Sequence, residues 1–305
     1  MIVIDEATSS ALLSMGEVIA AVEQAFLGLH RGEAETFPVA RGAGPQPGST
    51  FGVKSGIIRS MGAVGLKVGS YWPTNVAKGI PSHGSTVILL DPDTGFPTAL
   101  VSTSHLNALR TAAADALAVR HLARADARTL GVIGAGHQAW YEIEAIREVR
   151  PVEQVLVWAR DPAKAEAFAA KVAAGQGIAA RAATAEEAAG CDLVTSATAS
   201  REPLIDPAWL RPGTHVSAMG ADGVGKRELG RPYPAGARLF ADMATQSRTI
   251  GEFQGLEDPI IEIGAVIAGD ADGRRADDEI TIFDSSGIAL QDLSLAKAVL
   301  AKHEG

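Results

Sequence analysis

The segment Thr129-Leu-Gly-Val-Ile-Gly-Ala-Gly-His-Gln-Ala139 restricts this chain more than any other part of it. Val132 and Ile133 are β-branched and run straight into Gly134-x-Gly136-x-x-Ala139, after which Ala139, Ile143 and Ile146 recur at helical spacing. The pattern predicts a strand, a tight turn and a helix. Gly134 permits the turn, Gly136 lets backbone approach a pyrophosphate, and Ala139 allows close packing of helix on strand. The first N–H groups of the helix then present a partial positive charge to an anion. A GxGxxA string alone arises by chance in a Gly- and Ala-rich chain. With a strand before it and a helix after it, this one points to a dinucleotide site.

The rest of the chain divides around that segment. Before it, Ser14-Met-Gly-Glu17 reads as a capping box opening a helix that carries Val18, Val22, Ala25, Phe26 and Leu29 on one face, with Gly32 as its C-terminal cap. Short β-like runs follow at Phe51–Ile58, Val64–Val68, Thr86–Leu90 and Thr98–Val101, with a hairpin turn at Asp91-Pro-Asp-Thr-Gly95. They predict a mostly antiparallel sheet. An Ala-rich helix over about Ser104–Ala123 leads to the nucleotide strand. From Thr129 onward strands and helices alternate: strands at Val155–Trp158, Ile178–Arg181, Asp192–Ser196, Thr214–Ala218, Arg238–Ala241 and Thr281–Phe283, a helix at Pro162–Val172, and a last helix at Ile288–Lys302. Alternation of this kind means a parallel sheet covered by helices. The expected fold is α/β: a Rossmann-type doubly wound parallel sheet (118–288) plus an antiparallel-sheet α+β domain (1–117 and 289–305).

Composition removes several function classes. A net charge of −9 disfavours a nucleic-acid backbone as partner. The one cysteine, Cys191, leaves no intrachain disulfide and no cysteine-ligated metal cluster, and no metal site is expected. No apolar run approaches the roughly 18 residues of a membrane span, and the chain reads as cytoplasmic.

Charge is distributed unevenly. Residues 36–90 contain no Asp or Glu, where the average over the chain would place about six. The same stretch holds Arg41, Lys54, Arg59, Lys67, Lys78 and His83. In an acidic protein, that local excess reads as a site for an anion. Arg110-Thr111 lies on the Ala-rich helix where one domain hands over to the next, and an arginine there can hold a carboxylate bidentately.

Asn107-Ala-Leu-Arg-Thr-Ala-Ala113, followed by the glycine segment, resembles the ornithine cyclodeaminase/mu-crystallin family. Gly65-Leu-Lys-Val68, Pro81-Ser-His83, Pro212-Gly-Thr-His215, Met219-Gly-Ala-Asp222 and Ser285-Ser-Gly287 extend the resemblance over nearly the whole chain. It implies that the first domain binds substrate and forms a homodimer through the N-terminal sheet and the last helix, and that the protein acts on small amino acids or their imines. It implies that Arg41, Lys67 and Arg110 clamp a substrate carboxylate with His83 nearby. Asp222 would be the catalytic acid/base, with Lys67 as a rival proton donor. It places the cofactor against Thr111, Gly134, Ala135, Gly136, His137, Gln138, Ala159, Arg160, Thr198 and Ser285. Two positions depart from the family: Asn107 stands where threonine is common, and Asp284 where lysine is common.

The second nucleotide strand ends Val157-Trp158-Ala159-Arg160-Asp161. An acid at the Ala159 position would hold a ribose 2′-OH. Ala159 followed by Arg160 suits a 2′-phosphate and favours NADP(H) over NAD(H), unless Asp161 serves the hydroxyl. The deaminases of the family carry a glutamate in the strand corresponding to about Phe51–Lys54, which here has none. The reading is therefore reduction of a small carboxylate-bearing imine, or oxidation of the matching L-amino acid. The alternatives are an ornithine cyclodeaminase and a non-catalytic, crystallin-like binder of NADPH or a small ligand.

Overall fold

The capping box read at Ser14 forms in the computed structural model, which describes residues 1–305. Ser14 Oγ accepts from Glu17 N, and Glu17 Oε2 accepts from Ser14 N at 2.9 Å. Chain contacts divide the molecule into two compact units, Met1–Arg110 with Ile288–Gly305, and Thr111–Gly287.

In the first unit β1 (Ile2–Ile4), α1 (Glu6–Leu12) and α2 (Met15–His30) precede six strands: β2 (Ala34–Thr36), β3 (Ala40–Ala43), β4 (Thr50–Ile58), β5 (Ala63–Tyr71), β6 (His83–Leu90) and β7 (Pro97–Ser102). Their order is β1-β7-β6-β5-β4-β2, with β3 also on β4. All pairs are antiparallel except β1–β7. Alternation along the strands gives the sheet two different faces. Ile58, Ala63, Val87, Leu89, Ala99 and Val101 are buried, while Phe51, Val68 and Val3 of the opposite face are exposed. The hairpin turn is held by Asp91 Oδ1, which accepts from Asp93 N and Thr94 N.

The helix α3 (Ser104–Leu122) carries the chain into the second unit. There β8 (Thr129–Ile133), α4 (His137–Arg147), β9 (Gln154–Trp158), α5 (Pro162–Gln176), β10 (Ala179–Ala182), α6 (Ala185–Ala189), β11 (Leu193–Ser196), β12 (His215–Ala218), β13 (Arg238–Ala241), α7 (Ala244–Ile250), β14 (Ile260–Glu262), α8 (Ile263–Ala268) and β15 (Thr281–Asp284) follow. Every neighbour in the order β10-β9-β8-β11-β12-β15-β13-β14 is parallel. Both faces are covered, which explains the nearly unbroken apolar strands. Leu130, Val132, Val155 and Val157 pack with Ile143, Ile146, Phe168 and Val172 of α4 and α5. Ile133, Val194, Val216 and Ile282 pack on the other side with Ala188, Leu210 and Phe253. Gly131 is required by that packing, because a Cβ there would lie 1.8 Å from Ala188 O.

The last helix, α9 (Ala289–Glu304), returns to the first unit and lies on α2 and on β4–β6. Its first eight residues are all buried. No single helix is long and apolar enough to cross a membrane; α1 and α2 pass that test only as a pair, across an 89° bend.

Candidate active site

In the first unit, the acid-poor strands and two helices build a buried charged cluster. Lys67 comes from the middle of β5, Asn107 and Arg110 from consecutive turns of α3, and Gln291 and Asp292 from the first turn of α9. Lys67 Nζ donates to Asn107 Oδ1 at 2.5 Å and to Asp292 Oδ1 at 2.8 Å. Arg110 Nη2 donates to Asn107 Oδ1 at 2.9 Å and Nη1 to Gln291 Oε1 at 3.3 Å. The Arg110 Nε stands 3.4 Å from Asp292 Oδ1. Arg110 Nε and Gln291 Nε2 are buried donors without a hydrogen-bond partner. Such groups are uncommon in folded proteins and point to an acceptor that belongs there.

The titration of the cluster follows from its burial. Burial draws the Lys67 ammonium down to about 7 in spite of Asp292, with Arg110 and Lys54 pushing the same way. Burial would raise the Asp292 carboxyl, but the charges of Lys67 and Arg110 hold it below its ordinary value. Arg41 and His83 belong to the same sheet face as Lys67. Arg41 pairs with Gly52, Gly52 with Gly69, and His83 with Tyr71, whose ring centroid lies 4.7 Å away. Both Arg41 and His83 are exposed. Asp292 and Gln291 were not among the residues expected from sequence. The available signal was two polar residues inside an otherwise apolar first turn of α9.

In the second unit the C-terminal strand ends carry the remaining expected residues, where open α/β sheets bind ligands. Gly134 has φ +114°, a conformation that favours glycine, and its N–H bonds Trp158 O at 2.8 Å. A Cβ at Gly134 would stand 3.0 Å from Thr198 Cγ2. Gly136 is the N-cap of α4, and no side chain caps that helix. No heavy atom lies within 4 Å of where a Gly136 side chain would begin. Ala135 lies between these glycines, the His137 ring lies 5.0 Å from that of Tyr141 at a tilt of 60°, and Gln138 donates to Glu142 at 2.8 Å. The turn, the bare glycine and the uncapped amides fit the pyrophosphate of a dinucleotide.

Past β9, Ala159 is half-buried and Arg160 donates from Nη2 to Ser200 Oγ at 2.7 Å. Asp161 caps α5, accepting from Ala163 N at 3.1 Å. Thr111 is the first residue of the second unit, on α3. Ser285 Oγ donates to Asp242 Oδ2 at 3.0 Å. Asp284 is buried against Ser247, whose hydroxyl donates to its Oδ2. Burial and then the charge of Asp242 push the Asp284 carboxyl well above its ordinary value.

Asp222 follows β12 and is exposed, with Lys226 Nζ 2.5 Å from its Oδ1. Its loop is braced by Glu228, another residue that the sequence did not single out. Glu228 is buried and accepts from Thr198 N at 2.7 Å, Gly220 N at 2.8 Å and Ser196 Oγ at 3.0 Å. One carboxylate thus ties the loop bearing Asp222 to the loop bearing Thr198.

The model of the ornithine cyclodeaminase/mu-crystallin family matches residues 2–305. The chain belongs to that family. Among the relatives in it, iminosuccinate reductase of Paracoccus denitrificans is 41% identical, the match covering 100% of this chain and 98% of that one. Alanine dehydrogenase of Archaeoglobus fulgidus is 37% identical over 95% of this chain and 91% of that one. The solved Paracoccus denitrificans iminosuccinate reductase with NAD+ superposes with a TM-score of 0.94 at 39% identity, covering 100% of this chain and 96% of that one. An archaeal alanine dehydrogenase dimer with bound NAD gives 0.93 at 35% identity and the same coverage. The Thermococcus litoralis Δ1-pyrroline-2-carboxylate reductase with NADH and L-proline gives 0.92 at 32% identity, covering 100% and 98%.

Proposed function

We propose that this protein is an NAD(P)(H)-dependent oxidoreductase that reduces a small carboxylate-bearing imine, or oxidises the matching L-amino acid. The buried Lys67–Arg110–Asp292 cluster carries the reading. It has two cations for one anion and, in Gln291 Nε2, a buried donor without a hydrogen-bond partner, which suits a carboxylate ligand. A bound nicotinamide supplies or takes the hydride at the amino-acid carbon. The protein's own part is to hold the carboxylate and to move one proton at the nitrogen. Asp222 and Lys67 are the groups assigned to that proton. Lys67, drawn to about 7, exchanges its proton at neutral pH, the range in which general acids work best. Asp222 stands beside Lys226, whose Nζ lies 2.5 Å from its Oδ1. Arg41, Arg110 and His83 are assigned to the substrate.

For the cofactor we favour NADP(H). Arg160 follows a small residue, and Asp161, the rival for a ribose hydroxyl, already caps α5. We further propose a homodimer formed through the exposed apolar face of the first sheet. A cytoplasmic setting accords with a single buried thiol.

The test is NADPH and NADH oxidation with a panel of cyclic imines and of 2-oxo acids plus ammonia. At least one should be turned over, and Asp222→Asn should lower that rate at least about a hundredfold, the usual worth of one general acid or base. No turnover of any imine with either cofactor would overturn the reading. Wild-type turnover by Asp222→Asn would reassign the proton to Lys67.

A further inference from the structure

We infer that Gln254 is a positioning residue: its carboxamide fixes the turn that follows Asp222, and so sets where the Asp222 carboxyl stands. The inference rests on Asp222 serving the proton step, and it adds to that reading the group through which Asp222 is placed. Asp222 leads into a reverse turn closed by Lys226 N, which donates to Gly223 O at 3.0 Å. Gly223 and Gly225 give the turn little stiffness of its own, and Gly225 has φ +79°. Gln254 Oε1 accepts from Gly225 N at 2.9 Å, and Nε2 reaches Lys226 O at 3.1 Å and Gly223 O at 3.4 Å. The same Nε2 donates to Gly251 O at 2.8 Å, which fixes the plane of the amide. Only a carboxamide offers an acceptor and two donors at that place.

Gln254 is itself held. Its neighbour Phe253 is fully buried, and Arg231 donates to Glu252 O at 2.8 Å and to Gln254 O at 3.0 Å. Beyond the turn, the Glu252 side chain accepts from Glu228 N at 2.8 Å and Leu229 N at 3.0 Å. Glu228 reaches back to Gly220 N, two residues before Asp222. Backbone groups at 220, 223, 225, 226, 228 and 229 are therefore all bonded to Glu228, Glu252 or Gln254. Burial pushes the Glu252 carboxyl up to about 8 and raises Glu228 as well, so both sit in the interior against their own solvation. A loop with no task needs no such framework. A carboxyl that must meet one nitrogen does, because a displacement of about 1 Å can lower a rate about a hundredfold.

The experiment compares Gln254→Met, which keeps the length and removes every polar contact, with Gln254→Glu, which turns an anion on three carbonyl oxygens. In the full chain, with the imine or 2-oxo acid plus ammonia turned over fastest, both should lower kcat about ten- to a hundredfold. KM for that substrate and the binding of NADPH should stay within about twofold. Glu228→Gln should weaken NADPH binding too, since Glu228 also holds Thr198 N. The deciding readout is a double-mutant cycle: Gln254→Met should lower the rate of Asp222→Asn hardly further, where a loss by general destabilisation would add in full. Amide exchange of the ligand-free protein should speed at least about tenfold over residues 223–226 in Gln254→Met, the loss expected from several broken hydrogen bonds, and stay unchanged over α4. Unaltered kcat, or a loss that repeats in full on Asp222→Asn, overturns the inference and leaves the oxidoreductase reading standing. A wild type that turns over no imine removes that reading, and exchange then decides alone. Faster exchange at 223–226 keeps the turn assigned to Gln254, and unchanged exchange strikes it out.

Discussion

Lys67 is enclosed by protein, with an arginine and a second lysine contributing to its field, and so its ammonium is drawn down to about 7. An arriving carboxylate reverses part of that cost, because the added negative charge favours the ammonium. Binding should therefore be coupled to proton uptake. Above pH 7 the ligand-free lysine is largely neutral and the liganded one is charged, so up to about one proton enters with each carboxylate. Near pH 5.5 both forms are already charged and uptake should vanish. Titrating a carboxylate ligand at pH 8 in buffers of different ionisation enthalpy measures this. Buffer-independent heats at pH 8 would show that Lys67 keeps its proton throughout. Arg41, Lys67 and Arg110 stood out in the sequence because they are cations in an acid-free stretch or beside a domain hand-over. Asp292 did not, since its meaning comes from a partner 225 positions away. Short-range pattern carries no record of such a pairing.

At the level of elements, β8, its glycine turn and α4 were legible because each needs only local chemistry: β-branched residues, φ > 0 at Gly134, and helical periodicity after Ala139. The short elements β2, β3, β14, α7 and α8 were not, since they are three to seven residues long and take their conformation from neighbours rather than from period. Glu228 was missed for a related reason: its value lies in gathering Ser196 at the end of β11, Thr198 in the loop that follows it and Gly220 in the loop after β12. The end of β9 carries the prediction at this scale. Arg160→Ala should weaken NADPH binding at least about tenfold and NADH binding much less, since only the former offers a 2′-phosphate. Fluorescence titration of both reduced cofactors reads the difference. Equal losses would assign Arg160 to adenine or to the Ser200 loop instead.

On the scale of the molecule, the sequence separated a strand-rich, Gly- and Pro-punctuated part from an alternating α/β part, and two sheets of those kinds form. What it left unread was the exposure of one side of the first sheet. Phe51 at 45% and Val68 at 36% exposure, with Val3 at 63%, lie on the face opposite α9. Apolar groups clustered on one sheet face mark an interaction surface, and a second copy related by a twofold axis would cover it. Light scattering at micromolar concentration should return twice the chain mass, and Phe51→Glu combined with Val68→Lys should halve it. A wild-type monomer would remove the proposal.

The first unit is interrupted: residues 111–287 are threaded between its strands and α9. A chain emerging from the ribosome therefore completes the parallel sheet while the antiparallel one still lacks the helix that covers it. Until Ile288 onward is made, the buried faces of β4, β5 and β6 have no α9 to rest on, and Lys67 and Arg110 have no Asp292. The order of synthesis thus ties assembly of the anion clamp to the last stretch translated. Ribosome-stalled chains ending before residue 288 would carry a finished dinucleotide fold beside a clamp of unbalanced positive charge. The same chains would be open to protease in the first unit and resistant in the second.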